Sequence, residues 1–286
     1  MANEMSHPRP LGGGAGRGDD ALARAIFALN NQRPGEAELI AGEVLKADPR
    51  HARALQIFGH ALLMQGRFHD AIAALEPAAR GLHDPAIDTQ LAIALRQAGR
   101  PEDALARLKR ATKRRPPFAL AFAELGGLLF AMKRNDEAVE AFNRGLEAAP
   151  AMPELSIQLG HVFLALRNSA SAKAAFARAL ALAPSAASAL WGMGKAHQQI
   201  GENRAAVEYF RCCLMHTPND AGTWLNLGHS LIEIGELTAG YECFRKAARG
   251  EGQRYYGALT TLVKSGRGRF WLKPSEAKRF LQGENS

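Results

Sequence analysis

The stretch 119–152, ALAFAELGGLLFAMKRNDEAVEAFNRGLEAAPAM, decides the fold. With Pro150 set at position 32, Leu125 falls at position 7, Gly126 at 8, Ala138 at 20 and Phe142 at 24. The same types return at the same offsets. Pro116, Pro150, Pro184 and Pro218 stand 34 residues apart. A glycine follows each by ten residues (Gly126, Gly160, Gly194, Gly228), and Phe142, Phe176 and Phe210 each precede a proline by eight. A fixed period near 34 residues means a stack of helical hairpins rather than one wound core.

Working outward, 153–186 and 187–220 carry the pattern well, and 221–254 adds Trp224, Leu227, Gly228, Gly235, Phe244 and Ala247. Weaker copies lie upstream at 52–84 (Gly59, Gly66, Ala71, Ala78) and 85–118 (Leu91, Gly99, Ala104, Ala111, Pro116). A first copy at 18–51 has Ala37 and Pro49 in place but Ala25 where glycine is usual. Small residues at 8 and 20 let two antiparallel helices approach, the aromatic at 24 fills the gap between copies, and proline stops the second helix. Glycine near position 15 suits a left-handed turn. These residues resemble the tetratricopeptide repeat (TPR), W-x-x-L-G-x-x-Y followed by A, F, A and P. The resemblance implies an all-α TPR α-solenoid, a right-handed superhelix of seven repeats over 18–254, with a C-terminal capping helix.

The 286 residues would otherwise suggest two domains, but a solenoid has no single core. Cys212, Cys213 and Cys243 make no disulfide framework. The adjacent pair reads as small packing residues, and a reducing, cytoplasmic home follows. No apolar run approaches the roughly 20 residues of a membrane span. The segment 1–17 lacks periodicity and an apolar core, so it reads as disordered rather than as a secretory signal. Its Gly12-Gly13-Gly14 is no phosphate loop, having neither a strand before it nor Gly-Lys-Ser/Thr after it. Abundant alanine and arginine fit a bacterial, high-GC source.

Formal net charge is +8, and the stretch from Arg245 to Ser286 holds ten Lys/Arg against three Asp/Glu. The remainder is nearly neutral. A nucleic-acid surface along the array is not expected, and an electrostatic partner should meet the C-terminal end. The cluster Lys109, Arg110, Lys113, Arg114 and Arg115 has two readings: cations favoured by a helix C-terminus, or an anion-docking rim. Tyr255, Tyr256, Leu259, Leu262 and Val263 form the stripe of a capping helix. Beyond it, Phe270 and Trp271 either fold back or anchor another protein. Ser275 opens a short helix ending near Leu281.

Positions 2, 5, 6, 9, 12 and 13 of each first helix share a face. The family resemblance implies that this face lines the concave groove. Position 6 holds Gln90, Glu124, Gln158 and Asn226, interrupted by Gly192; position 9 holds His60, His161, Lys195 and His229; position 5 holds Trp191. Positions 12 and 13 add Arg96, Gln97, Gln198, Gln199 and Glu233. Side-chain amides can both donate to and accept from an extended peptide. The protein-binding groove is therefore assigned to Gln90, Glu124, Gln158, His161, Trp191, Lys195, Asn226 and His229, against the plainer reading that these residues only solvate an open face. The chaperone-tail clamp of some TPR proteins needs lysine at position 5, which no copy has. His60, His161 and His229 belong to copies too far apart to share a metal, and no zinc-type spacing occurs. No nucleophile–base pair or carboxylate pair stands out, so neither cofactor nor catalysis is expected.

Three functional readings follow. The first is a non-catalytic scaffold or adaptor that holds an extended protein segment in the groove. The second is a targeting or regulatory subunit that presents substrates to a separate enzyme, such as a glycosyltransferase, through the basic tail 264–286. The third is a self-assembling scaffold.

Overall fold

The computed structural model describes residues 15–248 together with Arg279 and Leu281. Fourteen α-helices occupy the described residues, with no strand. They are α1 (Ala15–Asn30), α2 (Pro34–Ala47), α3 (Ala52–Met64), α4 (Phe68–Gly81), α5 (Pro85–Gln97), α6 (Pro101–Ala111) and α7 (Ala119–Ala131). Then come α8 (Asn135–Ala148), α9 (Pro153–Ala165), α10 (Ser169–Leu182), α11 (Ala187–Gln199), α12 (Asn203–His216), α13 (Ala221–Glu233) and α14 (Leu237–Ala248). The chain forms two compact units that part between Leu129 and Phe130, inside α7.

Helix punctuation follows from local chemistry. Pro34, Pro85, Pro101 and Pro153 open helices, where the missing N–H would be unpaired anyway. Asp84 and Asp220 cap α5 and α13 by accepting from backbone N–H groups, and Asn168 does so for α10. Pro150, Pro184 and Pro218 follow two residues after α8, α10 and α12 end. The turn inside each hairpin holds one residue at positive φ: Gln32, Gly66, Gly99, Lys133, Arg167, Gly201 and Gly235. Four are glycines, for which the left-handed region is unstrained; Gln32, Lys133 and Arg167 adopt it regardless, at φ 55–62°. The geometry of the hairpin therefore sets the turn, and glycine only eases it.

In the first unit, α1 through α5 pack sequentially, α5 packs on α6, and α3 touches both α1 and α5. Its core is largely alanine and leucine, including Leu22, Ala25, Ala37, Ala54 and Ile57. The buried exception is Asp88 on α5, whose side chain is 2% exposed. Arg110 reaches it with two guanidinium nitrogens, one at 3.0 Å, while Arg107 and Arg114 stand at 3.9 and 3.8 Å. Helix α6 ends at Ala111, so only Lys109 and Arg110 of the basic cluster occupy its last turn. Lys109 and Arg110 are thus cations at a helix C-terminus, and Arg110 and Arg114 also face the internal carboxylate of Asp88.

In the second unit, α8 through α14 pack sequentially, and α11 touches both α9 and α13. Here the aromatic at position 24 fits a notch. Phe176 lies against Gly160 of its own hairpin and Gly192 of the next; a Cβ on Gly160 would sit 2.6 Å from the ring, and one on Gly192 closer still. Phe210 rests likewise on Gly194, and Phe244 on Gly228. All three rings are fully buried. Gly192 thus interrupts the polar series at position 6 because Phe176 occupies the space a side chain would need.

The capping helix at 255–263, and Phe270, Trp271 and Ser275, lie outside the described residues. Leu281 is helical and buried against Ile232, Phe244, Ala247 and Ala248.

Two substitutions test this packing. Phe176→Ala removes a ring that two glycines were shaped to receive and should destabilise the protein by ~3–5 kcal/mol, read from urea unfolding. Asp88→Asn should cost about 2–3 kcal/mol, below the full cost of breaking a buried ion pair because the three arginines reach water; an unchanged urea midpoint would show that Asp88 is not needed as their counter-charge.

Candidate functional site

The candidate residues divide between the two compact units. Gln90 and Glu124 belong to the first. Gln90 lines a cavity of about 450 Å³ with Ile26, Leu29, Arg53, Ile57 and His60. Its Oε1 is buried without a hydrogen-bond partner. Glu124 is held by Arg96 at 3.0 Å, which joins α7 to α5.

The second unit brings together the other six, on the neighbouring helices α9, α11 and α13. His161 on α9 lies edge-on to Phe176, with ring centroids 5.3 Å apart, and 5.8 Å from Trp191 on α11. Its Nε2 is 3.1 Å from the Ser188 hydroxyl. Gln158, one turn earlier on α9, is exposed. Lys195 on α11 donates to Gln198 Oε1 at 2.8 Å and to Asn226 Oδ1 of α13 at 3.2 Å. Gln198 Nε2 reaches across to the Asn226 carbonyl, the Ser230 hydroxyl and the His229 ring. Asn226 Nδ2 donates to the Gly222 carbonyl within its own helix. Gln199 joins three helices, donating to Leu164 O and accepting from Ser169.

These bonds change what the face can offer. Gln198 Nε2 and Asn226 Oδ1 fasten α11 to α13, while Asn226 Nδ2 and Gln198 Oε1 bond within their own helices. The series of amides therefore acts first as interhelical glue. Of the six, Gln158 is exposed, and the Trp191 ring, the His161 and His229 imidazoles and the Lys195 ammonium are half-buried, Trp191 against two core clusters.

Burial shapes the titration of this face. It lowers the Lys195 ammonium below the usual lysine range and His161 below the usual imidazole range; in the first unit it lowers His60 the same way. The thiol of Cys243 is pushed up to about 11 chiefly by burial, which keeps it protonated and unreactive. Gln198, Gln199 and Ser230 were missed or underweighted in the sequence as functional side chains. The spacing of Gln198 and Gln199 marked the face and that of Ser230 did not, and their bonding partners lie 28–35 residues away.

Among the described residues no helix is long and apolar enough to cross a membrane, and no group of three or more His, Cys, Asp or Glu could hold a metal. His60 lies in the first unit and His161 and His229 in the second.

The paired helices, the aromatic-on-glycine contacts and the layered first helices define a helical-repeat scaffold. Models of the tetratricopeptide repeat match residues 22–84, 89–153, 157–212 and 221–249, and the chain belongs to that family, a class of protein-binding modules. A comparison with curated proteins returns no match. Among solved structures the chain is similar to one from the APC/C hetero-tetramer Cut9–Hcn1 (TM-score 0.65, 21% identity, 75% of this chain and 42% of that one). It is also similar to pilF of Pseudomonas aeruginosa (TM-score 0.65, 17% identity, 74% and 96%). A third likeness is to a tetratricopeptide repeat protein from Parabacteroides merdae ATCC 43184 (TM-score 0.62, 15% identity, 86% and 98%). The match spans less than half of the Cut9–Hcn1 chain. At these identities the likeness is one of fold.

The lowered histidines give a pH dependence of definite sign. An imidazole that stays neutral in the folded chain contributes stability that is full above the unfolded value near 6.5 and is lost as pH falls through the lower folded value. Replacing His161 by Gln should flatten the fall in urea midpoint between about pH 6.5 and 5. An equally steep fall in the variant would show that His161 does not titrate in this way.

Proposed function

We propose that the chain is a non-catalytic scaffold that holds an extended segment of a partner protein across α9, α11 and α13. One observation carries this reading. The first helices of consecutive hairpins present a single polar face, fixed by the Lys195–Gln198–Asn226 network, with the Trp191 ring beside it. A pre-fixed face loses little conformational freedom when a ligand is bound. Trp191 gives it an apolar plate of the kind that anchors protein interfaces. Gln90 and Glu124 give the first unit a corresponding polar face.

The basic tail is a second candidate contact. Leu281 is fixed on the last hairpin while Arg279 is exposed, so this part of the tail is presented from a packed support. That arrangement supports the reading in which the tail meets a separate enzyme or assembly partner.

A library of random dodecapeptides displayed on phage tests the groove. Peptides enriched on the parent chain should bind the Trp191→Ala and Asn226→Ala variants at least about tenfold more weakly, a loss of ~1.4 kcal/mol, with helical circular dichroism unchanged. Affinity that survives both substitutions would place binding elsewhere.

A further inference from the structure

Several half-buried cations of this protein face carboxylates: Arg96 meets Glu124, Lys173 meets Glu202, and Arg107 and Arg114 stand near the buried Asp88. Lys195 does not. It is half-buried in the middle helix of the three-helix face, and its two hydrogen bonds go to neutral amide oxygens. Among the described residues no carboxylate stands within ion-pair distance of it. The other groups on this face are His161 from α9, Trp191 and Gln198 from its own helix, and Asn226, His229 and Ser230 from α13. None of them carries a negative charge. Glu154 and Glu233 lie at the far ends of α9 and α13.

An ammonium removed from water without a counter-charge is costly to keep, and a carboxylate in charge-assisted contact relieves that cost. Lys195 has three N–H donors, of which the two amides take two. Gln198 Oε1 and Asn226 Oδ1 hold the ammonium in place and leave one donor over. Burial lowers this ammonium, as the absence of a counter-charge requires.

We propose that Lys195 is a specificity-determining site that selects partner segments carrying an internal aspartate or glutamate. The inference rests on the groove reading above and names the chemistry that the groove prefers. An internal residue fits better than a chain terminus because Lys195 sits on the central helix. Gln158 and His161 flank it on α9, and Asn226 and His229 flank it on α13. A segment crossing all three helices passes over Lys195 with chain on either side. Trp191, one turn before Lys195, would then take an apolar side chain next to the acidic one.

The test uses the full chain and the same dodecapeptide library, displayed so that no free carboxyl terminus is offered. Enriched peptides should share an Asp or Glu. Synthesised with amidated ends, they should bind about tenfold more tightly than their Asn or Gln counterparts. With Lys195→Met the two should bind alike, and with Lys195→Arg the preference should return, which separates lost charge from lost fold. Trp191-dependent binding by peptides that carry no acid would overturn the proposal and leave the groove reading standing. Acid preference that persists in Lys195→Met would overturn it as well. If nothing is enriched, both readings fall together.

Discussion

The described structure of the second unit depends on one contact, a phenylalanine ring laid on a glycine. Phe176, Phe210 and Phe244 each come from the second helix of a hairpin and rest where a first helix has no side chain. A ring can reach that depth only if the opposing Cβ is missing, so ring and notch are two halves of one requirement. The spacing of 34 residues is the spacing of these notches. Phe176 uses two of them, at Gly160 and Gly192, and so ties one hairpin to the next. Apolar burial of this kind has no preferred direction. The left-handed turns and the caps supply the directional information that keeps each helix in register with its notch.

The polar face is built on that frame, and its chemistry is largely turned inward. Side chains of types suited to a ligand spend their donors on the protein itself: Gln198 on three groups of α13, Gln199 on α9, Asn226 on its own helix. Such bonds are short-range and geometric, and those of Gln198 and Gln199 hold neighbouring helices at a fixed separation. Rigidity of the face and selectivity of the face are then separate matters. The amides provide the first; the second is what we propose for Lys195.

Most of the fold was legible because its cause is periodic. Proline, glycine and phenylalanine recur at offsets that only a stacked hairpin explains, and the family matches and solved structures agree on that fold. What escaped was whatever depends on pairs far apart in sequence. Asp88 stands 22 residues before Arg110, at a position where other copies carry Phe122, Leu190 or Trp224. Nothing local marks it as the centre of the basic cluster. Gly192 read as a gap in the polar series, when it is a seat for Phe176. At the turns, Gln32, Lys133 and Arg167 hide a left-handed backbone that glycine would have announced. For the candidate site, residue types and their common face were legible. Which donor meets which acceptor was not, since sequence spacing gives the face and leaves the rotamers open.

A helical-repeat stack has no intrinsic length: each hairpin leaves a greasy surface that would accept another. Leu281, more than thirty residues beyond α14 in the sequence, is buried on the last described hairpin against Ile232, Phe244, Ala247 and Ala248. A chain cut before it, by a protease or by an experimenter, would uncover that apolar patch and offer it to a neighbouring molecule.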